Sequence, residues 1–245
     1  VGIVSILCGI VTALVKIDET PIQSTVAKPD STQSNGNGHY IKYFVILCAA
    51  MTLAGFAYRL NNIILPAYLE LKSNFLWNFL KRFDLSNLQG VKTMAATLLV
   101  SLVYIISTIG QLVAGKLADK YDLRWLYFGF HATSIPFVIL MGIVDEQLLV
   151  ISAALYVFFA LGMQPIENSL VAKYTPKRWR STSYGIKFIL TFGISSTAVY
   201  AVSWIKKAYN LETVYFVAGT VIVALVFLVL FLIWSSRGTT CKNNE

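Results

Sequence analysis

The sequence predicts an all-α, polytopic membrane protein. Three observations carry that expectation. Apolar residues make up 56% of the 245 residues and mean hydropathy is +0.65, while only 13% are charged. Ordinary soluble domains carry about a quarter charged residues. The apolar residues fall in runs long enough to cross roughly 30 Å of hydrocarbon at ~1.5 Å of helical rise per residue. The charges gather between those runs, so the net charge of +8 marks membrane surfaces rather than a nucleic-acid partner.

Val1–Val15 is apolar and has neither the basic start nor the cleavage site of a signal peptide. It reads as the end of a preceding membrane helix, and the chain as the back half of a longer protein. Residues 16–42 contain STQSNGNG, Pro21 and Pro29, a composition that cannot bury a core and predicts a flexible linker. Tyr43–Pro66 is the first span and contains Arg59, Asn61 and Asn62. Leu69–Phe83 mixes aromatics with Lys72, Lys81 and Arg82, which suits a short helix lying in the membrane interface.

Thr97–Ala114 and Trp125–Val144 are two further spans, joined by the charged stretch Gly115–Arg124. That joint is too short to be a domain, so its two helices are antiparallel neighbours. Leu148–Ala172 is the fourth span, with Gln164, Pro165, Glu167 and Asn168 near its end. A basic loop, Lys173–Lys187, leads to Phe188–Ile205. The last span is Val214–Trp234, and residues 235–245 form a polar tail. Six spans therefore lie in residues 43–234.

The stretch GKLADKYDLR, with Gly115, Asp119, Lys120 and Arg124, resembles the loop between helices two and three of the major facilitator superfamily, which recurs between helices eight and nine. The loop after the fourth span, with Thr175-Pro176 and basic residues before Gly185, resembles that family's loop after helix ten. The resemblance implies the end of helix six, a cytoplasmic linker, and helices seven to twelve. It implies a secondary transporter working by alternating access, whose partner is the six-helix half that would precede these residues. In such a loop Gly115 would let two helices approach closely. Asp119 would sit against a helix N-terminus. The family's second Gly is Asp122 here, which tolerates left-handed backbone better than most residues. A membrane sensor using the same fold without transport is the rival reading.

Six spans after the linker put linker and tail on one side. That side holds thirteen basic residues, the other side six, and Arg59 lies within the membrane. The positive-inside rule places linker, hinge, basic loop and tail in the cytoplasm, in an inner or plasma membrane.

No Ser-His-Asp arrangement, phosphate loop or metal-ligand cluster is visible, so neither catalysis nor a cofactor is expected. His131 reads as a proton relay or as a histidine packed between helices. The candidates for substrate contact are Tyr58, Arg59, Asn62, Gln164 and Asn168. Gly55, Arg59 and Asn62 share one helix face with Tyr58 beside them. Arg59 either forks onto a small organic anion or zwitterion, or pairs with the other half or snorkels outward. Glu167 is the candidate for proton coupling; the alternative is a structural ion pair. A direct Glu167–Arg59 bridge is not expected, because the helical rise separates them by about 12 Å in depth.

Overall fold

The computed structural model describes residues 37–81 and 90–240. The expected Val1–Val15 helix end and most of the expected linker lie outside those residues, as does Arg82. Among the described residues every regular element is helical. Helix α1 runs Asn37–Lys72, α2 Asn74–Lys81, α3 Val91–Ala118 and α4 Leu123–Met141. Then come α5 Glu146–Gly162 and α6 Gln164–Lys173. A 3-10 turn at Lys177–Trp179 leads into α7 Arg180–Phe188, a π-helical segment Ile189–Ile194, and α8 Ala198–Ala208. Helix α9 runs Glu212–Thr240.

Among the described residues, five stretches are long and apolar enough to cross a membrane: Ile41–Lys72, Val91–Ala118, Glu146–Lys173, Arg180–Ala208 and Glu212–Ser236. Helix α4 is the sixth expected span and is not among the five; it is 19 residues long and includes Arg124 and His131. The helices also exceed their expected bounds. Helix α1 starts inside the expected linker and continues through Pro66 to Lys72. Proline in a helix removes one hydrogen bond, which bundle packing tolerates. Helix α9 continues into the expected tail. The interfacial helix is shorter than expected, eight residues, because Leu69–Lys72 belong to α1.

Helix α1 packs on α9, α3 and the π segment; α5 packs on α3 and α4; α4 packs on α9. Two cores result. One gathers Leu65, Tyr68, Met141, Leu149 and Tyr215. The other gathers Tyr43, Leu47, Tyr127, Leu170 and Leu232. Outward, α3 presents Met94, Leu98, Leu102, Ile105, Ile109 and Leu112, each more than half exposed. Their spacing of three or four makes one continuous apolar stripe. A soluble surface avoids such a stripe; hydrocarbon or another helix accommodates it.

Candidate functional site

The fourth span is broken. Helix α5 stops at Gly162, Met163 intervenes, and α6 restarts with Pro165 in its first turn. Proline lacks the N–H that a first turn leaves unpaired anyway. Glu167 also occupies that first turn, where the positive end of the helix dipole favours an anion. Lys187 occupies the last turn of α7, where a cation is favoured.

These two charges meet. Glu167 and Lys187 are 4% and 5% exposed, and Lys187 Nζ lies 2.7 Å from Glu167 Oε1. The same ammonium donates to Asn168 Oδ1 at 2.6 Å. The Tyr127 hydroxyl, from α4, donates to Glu167 Oε2 at 3.5 Å. Two more bonds tie α7 to α6: the Tyr184 hydroxyl to the Asn168 carbonyl at 2.8 Å, and Arg180 Nη2 to the Ala172 carbonyl at 3.3 Å. Helices α6 and α7 thus form a hairpin with a buried ion pair inside it. It is bounded by the Met163 break on one side and the π segment on the other.

The expected roles divide as follows. Glu167 pairs with Lys187 and not with Arg59. Lys187 is therefore not a loop charge at the membrane surface, as the count of basic residues treats it. Asn168 and Gln164 are exposed while Glu167 is buried, so the three do not share one environment. His131 is buried and packs edge-on against Tyr127, ring centroids 4.7 Å apart.

On α1, Arg59 is exposed and makes no ion pair among the described residues. Tyr58 and Asn62 are half-buried, and Asn62 Nδ2 donates to the Tyr58 hydroxyl at 3.4 Å. The buried amide of this helix is Asn61, 1% exposed. Gly55 permits α1 to touch the π segment. A Cβ there would stand 2.6 Å from Thr191 Cγ2 and 3.0 Å from its carbonyl oxygen.

The hinge departs from expectation in three ways. A Cβ on Gly115 would meet nothing within 4 Å, so no close helix contact among the described residues requires that glycine. Asp119 ends α3, exposed, and it is Asp122 that caps the N-terminus of α4 by accepting from the Arg124 N–H at 2.8 Å. Asp122 is extended, φ −62° and ψ 122°, so no left-handed residue is needed there. Lys120 is exposed. Arg124 forks onto Asp122 at 3.1 and 2.8 Å and donates to Ser236 Oγ of α9 at 2.7 Å. That guanidinium holds the Asp122 carboxyl down at about 2.

The opposite end has its own polar tie. Lys72 Nζ lies 3.0 Å from Asp145 Oδ1 and 3.1 Å from Glu212 Oε1. Glu146, at φ 56°, accepts from the Phe75 N–H at 2.8 Å.

Lys187, Tyr127 and Asn61 are the polar groups that sequence reasoning leaves out of the candidate site. The basic group in a region without acids, residues 168–211, was the available signal for Lys187.

The family model described as Major Facilitator Superfamily matches residues 1–185 and, overlapping them, 47–244. The chain belongs to that superfamily. Solved structures share the fold. The crystal structure of a bacterial homologue of the human lysosomal transporter Spinster, inward-facing and unoccupied, matches with a TM-score of 0.53 at 14% identity. The match covers 82% of this chain and 44% of that one, so the chain spans less than half of that transporter. At this identity the likeness is one of fold. No curated protein matches the chain in sequence.

Proposed function

We propose that these residues form the carboxy-terminal half of a secondary active transporter that moves small solutes by alternating access and couples transport to protons through Glu167. The partner is the preceding six-helix half, and the hinge, the basic loop and the tail face the cytoplasm of an inner or plasma membrane. The observation that carries the reading is the buried Glu167–Lys187 pair inside a hairpin with an irregular turn at each end. Protonating Glu167 cancels the attraction and leaves Lys187 a buried cation with only neutral partners. A buried unpaired charge costs several kcal/mol, so the hairpin gains by moving Lys187 toward water. Protonation thereby drives a helix movement.

The solute is an organic anion or zwitterion held by Arg59, with Tyr58, Asn62, Gln164 and Asn168 as neutral contacts. Arg59 supports this because it is an exposed guanidinium in the middle of a span, without an acidic partner among the described residues.

Full-length protein in proteoliposomes, given a pH gradient and a panel of carboxylate, phosphate, neutral and cationic solutes, tests both parts. Glu167→Gln should retain energy-independent exchange and lose proton-driven accumulation; accumulation at the wild-type level would make Glu167 purely structural. Arg59→Lys should weaken anion uptake despite keeping the charge, since Lys lacks the planar fork. Selective uptake of neutral or cationic solutes, unchanged in that variant, would overturn the assignment of the solute.

A further inference from the structure

Asn61 presents a second problem in buried polarity. Its amide lies in the interior of the bundle, and neither Nδ2 nor Oδ1 makes a hydrogen bond. Tyr104 on α3 lies beside it and Tyr156 on α5 lies beside Tyr104, and both hydroxyls are also buried and without an aligned partner. The Tyr104 hydroxyl lies beside Asn61, Tyr58 and Tyr156, close enough to interact but not in hydrogen-bond geometry. The Tyr58 and Tyr104 rings meet edge to face, centroids 6.5 Å apart. Three helices therefore converge on one patch of donors and acceptors. An amide offers two donors and two acceptor lone pairs, a phenol one donor and two acceptors. Each group left unpaired carries its full desolvation penalty, and native structures rarely leave such groups so.

We propose that Asn61, Tyr104 and Tyr156 form a buried hydration site that joins α1, α3 and α5 through bound water. Size and charge select water. Asn61 and Tyr156 are each 1% exposed and their neighbours Leu60 and Val157 are fully buried, which excludes an organic solute. The converging groups are all neutral, whereas a hard cation asks for carboxylates. A buried water typically makes about three hydrogen bonds to otherwise unsatisfied groups, and three side chains supply them here. The route in runs along Asn62 and Tyr58, half-buried and hydrogen-bonded to each other at the rim. A water-mediated joint exchanges partners as helices shift, so α1 moves against α3 and α5 without stranding a polar group.

Hydroxyl-radical footprinting by short X-ray pulses labels side chains that touch bound water. The full-length protein in lipid nanodiscs is the sample. Tyr156 and Tyr127 are equally buried, but the Tyr127 hydroxyl is engaged by Glu167. Tyr156 should therefore be oxidised several-fold faster than Tyr127. Asn61→Leu should abolish that excess and leave Tyr127 unchanged. Should that variant not fold, Tyr104→Phe, which keeps the ring, should lower Tyr156 labelling in the same way. A Tyr156 as inert as Tyr127 in the wild type would overturn the proposal. So would undiminished Tyr156 labelling in a folded variant, or equal labelling of Leu60 and Val157, which would mean bulk solvent entry.

Discussion

Lys187 ends an ammonium in a place where water does not reach, and its three neighbours decide what it is worth. Glu167 neutralises it, Asn168 Oδ1 accepts a hydrogen bond from a second of its N–H groups, and the Tyr127 hydroxyl donates to the far carboxylate oxygen. The net stability of such a pair against a hydrophobic substitute is small, but removing one partner strands the other. Lys187→Met should therefore destabilise the folded protein by about 3–5 kcal/mol. The double variant Lys187→Met with Glu167→Gln should recover most of that loss. Unfolding midpoints in detergent micelles measure both; a double variant no more stable than the single would mean that the pair is not an energetic unit. The sequence could place Glu167 within a span, yet Lys187 follows RWRSTSYG and reads with the loop. Which end of a flexible lysine stem meets water is decided by the packing of α6 on α7, and no local pattern encodes that. The contrast of Arg59 with Asn61 has the same origin. Neighbouring residues point about 100° apart on a helix, and α1 is apolar around most of its circumference, so its buried face carries no clear periodicity.

At the scale of elements, glycine spacing decides how close two helices come. A Cβ on Gly110 of α3 would sit 2.5 Å from the Phe158 carbonyl oxygen of α5. A Cβ on Gly162 would in turn stand 3.1 Å from the Gly110 carbonyl. Backbone cannot yield there as a side chain could. Gly110→Ala should push α3 from α5 and cost about 1–3 kcal/mol, the usual range for overpacking. Gly115→Ala, which meets nothing within 4 Å, should leave stability unchanged or raise it by about 0.4–1 kcal/mol. The thermal midpoint should thus fall for Gly110→Ala and hold or rise for Gly115→Ala, and equal losses would rule out the steric account. The helix–hinge–helix arrangement was legible from length and charge alone. The identity of the tight glycine was not, because the motif draws attention to Gly115 while the contact is made five residues earlier.

For the described bundle as a whole, polar ties stand at both ends, apart from the buried Glu167–Lys187 pair. One end has the Arg124–Ser236 bond, the other the Lys72–Asp145–Glu212 group. With Lys187 buried, twelve basic residues remain on the linker side against six on the other. The positive-inside bias still points the same way. In a cysteine-free background, Asn210→Cys should react with an impermeant maleimide in intact cells, and Tyr121→Cys only after permeabilisation. Both positions are exposed, so access and not burial decides the outcome. The opposite pattern would invert the orientation. Hydropathy made the bundle legible at this scale. It did not foretell that α1 runs on to Lys72, since Pro66 and the charges near it look like an ending. Tyr68 and Leu69, buried in the core beyond Pro66, and the pairing of Lys72 with Asp145 and Glu212 hold the helix that far.

The π segment at Ile189–Ile194 constrains what lengths this helix can take. A π turn accommodates one more residue than an α turn. Deleting one residue there would let the segment close to an ordinary α turn, and the residues beyond it would keep their phase. Ala198, Val202 and Ile205 would stay in the core, with Tyr200 and Trp204 outside it. The same deletion inside α8 would turn everything beyond it by about 100°. The π segment is therefore the place where this helix can lose a residue without choosing between the ion pair and the core.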